Sequence, residues 1–217
     1  TYGMTETASQ VATLLPEAFL AGENHAGHPL PHARITIRDQ GGHPLPPNQV
    51  GQISIQATSL ALGYYPNVPL SDPDHLNAPG ANGEVDLTVF QTDDLGFLDG
   101  EGQLHVVGRS SDKIITGGEN VFPSEVEAAI RQTGLVRDVA VVGVGDRHWG
   151  EVVTALYVPA HSTIAVEQIA QHLDGHLSRF KHPKRWIPLE CLPRNDQGKL
   201  NRTQHRTLAA EVEEQTT

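Results

Sequence analysis

Residues 108–127 read G-R-S-S-D-K-I-I-T-G-G-E-N-V-F-P-S-E-V-E, and this segment contains the signals on which the fold assignment rests. Residues 113–116 have the composition of a short strand, which Gly117 and Gly118 interrupt. Pro123 favours the first turn of a helix, where its missing N–H costs little. We therefore expect a strand, a glycine turn and a helix in this order.

The residues after this segment have the pattern of an α+β domain. Apolar side chains at helical spacing continue the helix, and Gly134 can close it. The β-branched runs 139–144 and 152–158 predict two strands of one sheet. Further expected elements are a helix with Thr163 as N-cap and apolar residues at 166, 169, 170, 173 and 177, a strand at 185–189, and a short helix after Lys199.

The residues before the segment predict a β-rich region. Apolar and polar side chains alternate over residues 34–38 and 52–56, as in half-buried strands, and residues 103–107 predict another strand. Residues 66–83 are rich in Pro, Asn, Asp and Gly, which predicts a long surface loop. The pattern changes after Arg109, so we expect an α+β protein with one part at 1–109 and a compact second part at 110–217.

Composition excludes several classes of protein. The 217 residues include 15 Lys and Arg against 26 Asp and Glu, a net charge of −11 that disfavours general nucleic-acid binding. No apolar run approaches the ~20 residues of a membrane-spanning helix. The single cysteine, Cys191, excludes an internal disulfide framework and indicates a reducing cytosol. We expect Cys191 to be a small buried apolar side chain.

Charge is unevenly distributed along the chain. Residues 178–217 hold eight Lys and Arg against five Asp and Glu, whereas residues 1–100 hold two against eleven. A basic stretch in an acidic protein suits a small anion such as phosphate, although a solvated basic surface explains the charge equally well.

The first ten residues, T-Y-G-M-T-E-T-A-S-Q, combine an aromatic ring, a glycine, hydroxyls and a carboxylate. These groups suit a nucleotide and its metal, because Mg²⁺ takes one or two carboxylates together with phosphate oxygens. A Ser/Thr-rich turn is the simpler interpretation of the run by itself. The chain starts inside this segment without an initiator Met, and we expect it to be a fragment of a larger protein.

Three later motifs also suit a nucleotide. Asp94, in Q-T-D-D-L-G, can accept hydrogen bonds from both ribose hydroxyls, and Arg109 adds donors. Gly117 and Gly118 permit a close backbone approach by a ligand. Lys199, at the end of a flexible loop, can neutralise phosphate charge. Each motif considered alone is equally compatible with an ordinary turn or surface loop.

The four motifs in this order resemble the adenylate-forming superfamily, which includes acyl-CoA synthetases, peptide-synthetase adenylation domains and luciferases. The resemblance covers essentially all 217 residues. Within the superfamily, residues 1–10 are most similar to the branch of o-succinylbenzoate–CoA ligases of menaquinone and phylloquinone synthesis. The resemblance implies that residues 1–109 are the β-rich end of a large N-terminal domain and residues 110–217 a small mobile C-terminal domain.

The resemblance also implies the activity and its substrates. ATP and a carboxylic acid give an acyl-adenylate and pyrophosphate, and the thiol of coenzyme A then displaces AMP. The implied nucleotide-binding residues are Tyr2, stacked on adenine, together with Gly3, Thr5, Asp94 and Arg109. The implied roles of the remaining residues are Mg²⁺ binding by Glu6, catalysis of adenylation by Lys199, a hinge at Ser111, and a pantetheine tunnel at Gly117 and Gly118.

Two residues depart from the family pattern. Many relatives carry Asp or Lys where this chain has Ser111, and Gly where it has Asp93. The second difference leaves open whether Asp93 or Asp94 faces the ribose, and the following Leu95-Gly96 favours Asp94. The phosphate loop and most of the acyl pocket of the family lie outside this chain, so we expect the isolated fragment to be inactive.

Several alternatives stay open. The acid could be another aryl or fatty acid, since Ser9 and Gln10 are the only candidate acyl contacts. A non-catalytic module with a retained fold is a third possibility, but it predicts loss of the motif residues, and these are present. The twelve histidines show no convincing spacing for a metal site. The implied partners are small molecules, with no nucleic acid and no membrane span, in the cytoplasm.

Overall fold

The computed structural model describes residues 1–66, 68–69 and 89–214, without the side chains of residues 68, 69, 213 and 214. Within it the chain divides into two compact units, Thr1–Val107 (unit 1) and Gly108–Thr217 (unit 2). The change of pattern after Arg109 lies two residues from this division. Most of the loop predicted at 66–83 and the end of the C-terminal tail lie outside the described residues.

Unit 1 consists mainly of antiparallel sheets. A three-stranded sheet has the order β1-β2-β3, a four-stranded sheet has the order β4-β5-β8-β9, and β6 pairs with β7. The strands are β1 (Tyr2–Gly3), β2 (Gln10–Thr13), β3 (His28–Pro29), β4 (Ala33–Arg38), β5 (Gly51–Ala57), β6 (Gly63–Tyr64), β7 (Val68–Pro69), β8 (Val89–Leu98) and β9 (Leu104–Arg109). One short helix, α1 (Pro16–Leu20), follows β2.

The four-stranded sheet confirms the two half-buried strands predicted from alternating apolar and polar residues at 34–38 and 52–56. Ile35 pairs with Ile55, and Ile37 pairs with Ile53, across β4 and β5. All four isoleucines are buried in one apolar cluster, because alternate residues of a strand point to the same face. The cluster also contains Tyr2, Val11 and Leu104, so the start of the chain packs into the same core as the larger sheet.

Unit 2 is a five-stranded sheet with helices on both faces. Its strands follow the order β11-β10-β13-β12, and β14 pairs in parallel with β13. The elements are β10 (Ile114–Thr116), β11 (Glu119–Val121), α2 (Pro123–Gln132), β12 (Val136–Asp146), β13 (Gly150–Pro159), α3 (Val166–Leu173), β14 (Arg185–Pro188) and α4 (Arg202–Glu214). The predicted fold class, a β-rich first part followed by an α+β second part, is confirmed.

The β-branched runs form two paired strands of one sheet, β12 and β13, as predicted, and they are buried on both faces. Val139 and Val141 of β12 pack with α2 and α3 residues in one cluster, whereas Ala140 and Val142 belong to a second cluster that includes Ala209 of α4. A strand covered on both faces needs a continuous apolar run, which explains the composition of these two segments.

The start of α2 agrees with its prediction from the sequence, and the start of α3 does not. Pro123 is the first residue of α2, as expected. The prediction of Thr163 as the N-cap of α3 is wrong, since the cap is Ala165 and the helix begins at Val166. The backbone N–H of Ala165 donates to Gln168 Oε1 at 2.9 Å, so a side chain inside the helix satisfies the N–H of the cap residue.

The expected burial of Cys191 is also wrong, because its side chain is exposed. The next residue, Leu192, takes the buried position in the core below α4. Glu190 and Cys191 are both exposed before the buried Leu192, and the larger apolar side chain gains more free energy from burial. No helix in the described part of the chain is both long enough and apolar enough to cross a membrane.

Candidate functional site

A tight turn at Thr5–Thr7 separates β1 from β2 and is held by Thr7. Thr7 is completely buried; its Oγ1 accepts the N–H of Met4 at 3.0 Å and donates to the carbonyl of Ser9. The following Ala8 has φ +60°, in the left-handed region. The turn leaves the side chain of Thr5 exposed and that of Glu6 half-buried. Thr7 therefore holds the turn that contains Thr5 and Glu6, the two residues predicted to contact the nucleotide and Mg²⁺.

Gly3 is required by the packing of β1 against β2. A Cβ at this position would lie 2.5 Å from the Cα of Gln10 and would collide with the Ser9 carbonyl. Gly3 pairs with Gln10 in the sheet. Its first role is therefore structural, and any contact with a nucleotide would be additional.

Tyr2 and Asp94 are 92 residues apart in sequence, and unit 1 brings them together. Tyr2 Oη donates to Asp94 Oδ2 at 2.7 Å. Only 9% of Tyr2 is exposed, whereas Asp94 is half-buried and Asp93 is exposed. An adenine ring can reach only a small part of Tyr2 in this structure. The hydrogen bond to Asp94 is therefore a better supported interaction of Tyr2 than stacking on adenine.

A β-bulge in β8 places Asp94. Gln52 pairs with Leu95 and Ser54 pairs with Gln91, so three residues of β8 lie opposite the single residue Ile53 of β5. Bulges redirect side chains and are frequent beside active sites. This irregularity separates the environments of Asp93 and Asp94.

Thr92, at the start of the bulge, holds its shape. Its buried hydroxyl donates to the carbonyl of Ile53 at 2.9 Å and accepts the N–H of Asp94 at 3.1 Å. Gln52 Nε2 donates to the carbonyl of Thr92 at 2.8 Å. Neither Thr92 nor Gln52 was predicted from the sequence, since a threonine in a strand is common and carries no distinctive signal.

Glu6 is tied to the segment that follows β5. Tyr64 Oη donates to Glu6 Oε1 at 2.7 Å, and the N–H of Ala61 donates to the carbonyl of Glu6 at 2.8 Å. The hydrogen bond to the Glu6 carboxylate raises the pKa of Tyr64 above its usual value. The contact of Tyr64 with Glu6 was not predicted from the sequence.

A polar cavity of about 470 Å³ borders the turn. Its lining residues are Thr1, Gly3, Met4, Thr5, Ala8, Ser9 and Gln10. The cavity therefore includes two predicted nucleotide-binding residues and both candidate acyl contacts. A larger and more apolar cavity of about 610 Å³, which Leu14, Phe19, His25 and Val106 help to line, contains none of the predicted site residues.

Arg109 and Ser111 lie at the start of unit 2. Arg109 ends β9, and a turn joins it to β10, in which the N–H of Asp112 donates to the Arg109 carbonyl at 3.3 Å. Both side chains are exposed. A short exposed turn between two strands has a backbone that can change its φ and ψ angles with little loss of packing.

Gly117 and Gly118 form the turn between β10 and β11, and both have positive φ angles, +57° and +85°. The N–H of Gly117 donates to the carbonyl of Trp149 at 2.8 Å. A Cβ at Gly117 would lie 2.9 Å from Cε3 of the indole. Gly117 thus permits a close approach, and the group that approaches it here is Trp149.

Trp149 has polar and charged neighbours in unit 2. Its side chain is 42% exposed, and Lys184 Nζ lies over its ring, 2.9 Å from the centroid. A cation over an indole face contributes about 0.5–2 kcal/mol. The pair of Trp149 and Lys184 was not found from the sequence, because 35 residues separate them and neither belongs to a motif.

Lys199 is exposed at the end of a well-organised hairpin. Arg194 and Leu200 are bridged across it, and Asn195 Oδ1 accepts the N–H groups of Gln197 and Lys199 at 3.1 and 2.8 Å. Arg194 also forms an ion pair with Asp138 of β12. The backbone before Lys199 is therefore held as a hairpin by hydrogen bonds, and the side chain of Lys199 is exposed.

The predicted site residues fall into two groups. Unit 1 contains Tyr2, Gly3, Thr5, Glu6 and Asp94, of which the first and last are in direct contact. Unit 2 contains Arg109, Ser111, Gly117, Gly118 and Lys199. Among the described residues, no three His, Cys, Asp or Glu side chains are arranged to hold a metal ion.

Comparison with known proteins shows what the chain resembles. Residues 1–65 match the model of the AMP-binding enzyme family, and residues 125–199 match that of the AMP-binding enzyme C-terminal domain. The 2-succinylbenzoate–CoA ligase of Geobacillus sp. (strain WCH70) is 38% identical over 210 residues, which are 96% of this chain and 40% of the relative.

Two solved structures of o-succinylbenzoate CoA synthetase from Bacillus subtilis are also similar. The complex with its acyl-adenylate intermediate superposes with a TM-score of 0.81 at 34% identity, and the complex with ATP and magnesium with a TM-score of 0.77 at 35% identity. Each match covers 94% of this chain and 40% of the other. The chain thus spans about 40% of the length of the relatives that it matches.

Proposed function

Because the chain belongs to the AMP-binding enzyme family, we propose that it is the C-terminal part of an ATP-dependent acid–CoA ligase. The proposed substrate is o-succinylbenzoate, and the proposed pathway is menaquinone or phylloquinone synthesis. The observation that carries the proposal is the contact between Tyr2 and Asp94, since it joins two family motifs 92 residues apart beside the turn that holds Glu6.

The nucleotide would be held by unit 1 and by Arg109. Asp94 would accept hydrogen bonds from the ribose hydroxyls, and Tyr2 would orient that carboxylate while offering its remaining exposed surface to adenine. Thr5 and the N–H of Gly3 would face the phosphates across the polar cavity. Charge-assisted hydrogen bonds to a carboxylate contribute about 1.5–3 kcal/mol, so Asp94 is expected to dominate ribose affinity.

The residues at the turn fit a magnesium ion that arrives with the nucleotide. Glu6 supplies a single carboxylate, half-buried, and its Oε1 is already oriented by Tyr64. Mg²⁺ commonly takes one protein carboxylate together with phosphate oxygens and waters. When bound there, the ion would neutralise phosphate charge.

Lys199 would act in adenylation. An oxygen of the substrate carboxylate forms a bond to the α-phosphorus of ATP while the bond from that phosphorus to pyrophosphate breaks. Negative charge accumulates on the phosphate oxygens, and a positioned ammonium group stabilises it. The hairpin around Asn195 supports this role because it anchors the backbone of Lys199.

Gly117, Gly118 and Trp149 would border the pantetheine chain of coenzyme A in the second step. The sulfur forms a bond to the acyl carbon, AMP leaves, and the thiol proton passes to solvent. Lys184 and the basic stretch after residue 178 suit the phosphates of coenzyme A. Ser111 would be the hinge about which unit 2 changes its position between the steps.

The substrate rests on the relatives rather than on a complete pocket. Several ligases that match this chain at 34–38% identity are named for 2-succinylbenzoate, and one related structure contains the corresponding acyl-adenylate. A ligase for another aryl or fatty acid is the alternative. The cytoplasm is the proposed location.

The test uses the full-length protein that contains this chain. ATP–pyrophosphate exchange is measured with a panel of carboxylic acids that includes o-succinylbenzoate, for the wild type, Lys199→Ala and Gln197→Ala. We expect exchange with o-succinylbenzoate to fall about 100-fold or more in Lys199→Ala, the loss typical of a positioned charge-stabilising group. Gln197→Ala is the matched control, since its side chain is exposed in the same hairpin.

Other results would contradict parts of the proposal. Exchange with a different acid alone would retain the mechanism and reject the substrate. Absence of exchange with every acid would favour a non-catalytic module. The isolated 217 residues are expected to form no thioester, and ATP-dependent thioester formation by them would show that the acyl and phosphate sites are complete in this chain.

A further inference from the structure

The hairpin that joins β12 to β13 presents Trp149 in unit 2. Asp146 pairs with Gly150, so the loop contains three residues, and Gly150 has φ +78°. A three-residue loop with a left-handed glycine is a common hairpin geometry. It leaves the N–H groups inside the loop to be satisfied by another acceptor.

The carboxylate of Asp146 is that acceptor. Its Oδ1 accepts the N–H of His148 at 2.8 Å and the N–H of Trp149 at 3.0 Å. Its other oxygen, Oδ2, accepts from Arg185 Nη2 of β14 at 3.0 Å. The backbone N–H of His148 lowers the pKa of Asp146, with smaller contributions from Trp149 and Arg185, so the group is ionised at neutral pH.

These contacts connect Asp146 to the glycine turn. The carbonyl of Trp149 accepts the N–H of Gly117, and the indole lies against Gly117 on one side and Lys184 on another. Loss of the Asp146 carboxylate would free the N–H groups of the loop and change the position of the indole. Asp146 itself is half-buried, and its described contacts are all made within unit 2.

We propose that Asp146 is a positioning residue for coenzyme A, because it holds the backbone of Trp149 and so sets the wall of the pantetheine path beside Gly117. This inference rests on the proposed function, in which Gly117 and Trp149 border that path. It predicts an effect on the thioester-forming step and no effect on adenylation.

The test compares Asp146→Asn and Asp146→Ala with Asp39→Asn in the full-length protein. Asp39 is a matched control because its Oδ1 accepts the N–H of His43 in an exposed turn of unit 1. We expect the KM for coenzyme A to rise about tenfold in Asp146→Asn, and further in Asp146→Ala, which is the usual cost of a hydrogen bond to a charged group. ATP–pyrophosphate exchange is expected to stay within twofold of wild type.

A double-mutant cycle with Trp149→Ala separates positioning from general stability. If Asp146 acts through the indole, Asp146→Asn adds less than twofold to the KM for coenzyme A in the Trp149→Ala background. The inference would be overturned by an unchanged KM for coenzyme A in both Asp146 variants or by additive effects in the cycle. Equal losses of ATP–pyrophosphate exchange and of thioester formation would also overturn it. If the wild-type protein shows no ATP–pyrophosphate exchange at all, the proposed function itself is wrong.

Discussion

At the residue scale, two neighbouring aspartates in the bulge of β8 have different environments. Asp94 is half-buried and bonded to Tyr2, whereas Asp93 is exposed. The sequence left open which of them faces the ribose. The hydroxyl of Thr92 accepts the N–H of Asp94 and fixes the backbone at that point. This supports the proposal that Asp94 is the aspartate that faces the ribose.

The pair offers an internal comparison. In the full-length protein, Asp94→Asn is expected to raise the KM for ATP about 10- to 100-fold, because it removes a charged acceptor for the ribose. Asp93→Asn, which makes the same chemical change one residue away, is expected to alter it less than threefold. Steady-state adenylation assays with varied ATP measure both values. A larger effect from Asp93→Asn would assign the ribose to the other aspartate.

At the element scale, the C-terminal helix α4 is held by a buried polar network. Arg202, its first residue, contacts Glu127 of α2 at 2.7 Å and Asp112 at 2.9 Å. Glu127 is 4% exposed and also accepts the N–H of Val141 at 2.9 Å. Because Arg202 lies three residues after Lys199, this network also anchors the hairpin that presents Lys199.

His205 of α4 makes the attachment of this helix sensitive to pH. It is fully buried, and neither ring nitrogen has a hydrogen-bond partner within the described residues. Burial lowers the pKa of His205, and nearby Arg202 adds to this effect, while the backbone of Asn201 and the carboxylates of Glu127 and Asp138 oppose it. A histidine that is neutral when folded takes up a proton more readily when unfolded. The stability of unit 2 should therefore fall as pH decreases below about 6.5.

The measurement is the free energy of unfolding of the chain between pH 7.5 and 5, from urea titrations. One such histidine contributes at most about 1.4 kcal/mol per pH unit to the slope. His205→Leu is expected to reduce the decline at low pH, whereas His161→Gln, at an exposed position, should leave it as in the wild type. An identical decline in all three proteins would assign it to other groups.

At the scale of the whole molecule, each unit has a hydrophobic core of its own. The buried cluster of unit 1 is separate from the two clusters of unit 2, which lie on opposite faces of its sheet. Domains with an independent core can fold alone. The two family models also match different units, since residues 1–65 lie in unit 1 and residues 125–199 lie in unit 2.

We therefore expect a polypeptide of residues 108–217 to unfold cooperatively by itself. Its thermal transition, followed by circular dichroism, should be a single step. Leu156→Ala is a useful reference, since Leu156 is fully buried in unit 2 and its truncation should cost about 2–5 kcal/mol in both the long and the short polypeptide. A broad transition, or a Leu156→Ala effect in the longer chain alone, would mean that unit 2 depends on unit 1.

Local sequence patterns were enough to predict several strands, the start of one helix and the family. Alternation predicted β4 and β5, β-branched runs predicted β12 and β13, and Pro123 predicted the start of α2. These signals are local, because backbone periodicity and turn chemistry repeat within a few residues. The motif residues were likewise recognisable by their order alone.

Which distant side chains come into contact depends on how the strands pair and pack. The bond from Tyr2 to Asp94 depends on strand order and on a bulge of β8, and the position of Trp149 beside Gly117 depends on the pairing of β10 with β13. Thr163 was mispredicted because the helix begins two residues later than expected, with Ala165 as its N-cap, and Cys191 because the neighbouring Leu192 takes the buried position. The contacts of Tyr2 and of Trp149 depend on packing between distant segments, and no local pattern contains that information.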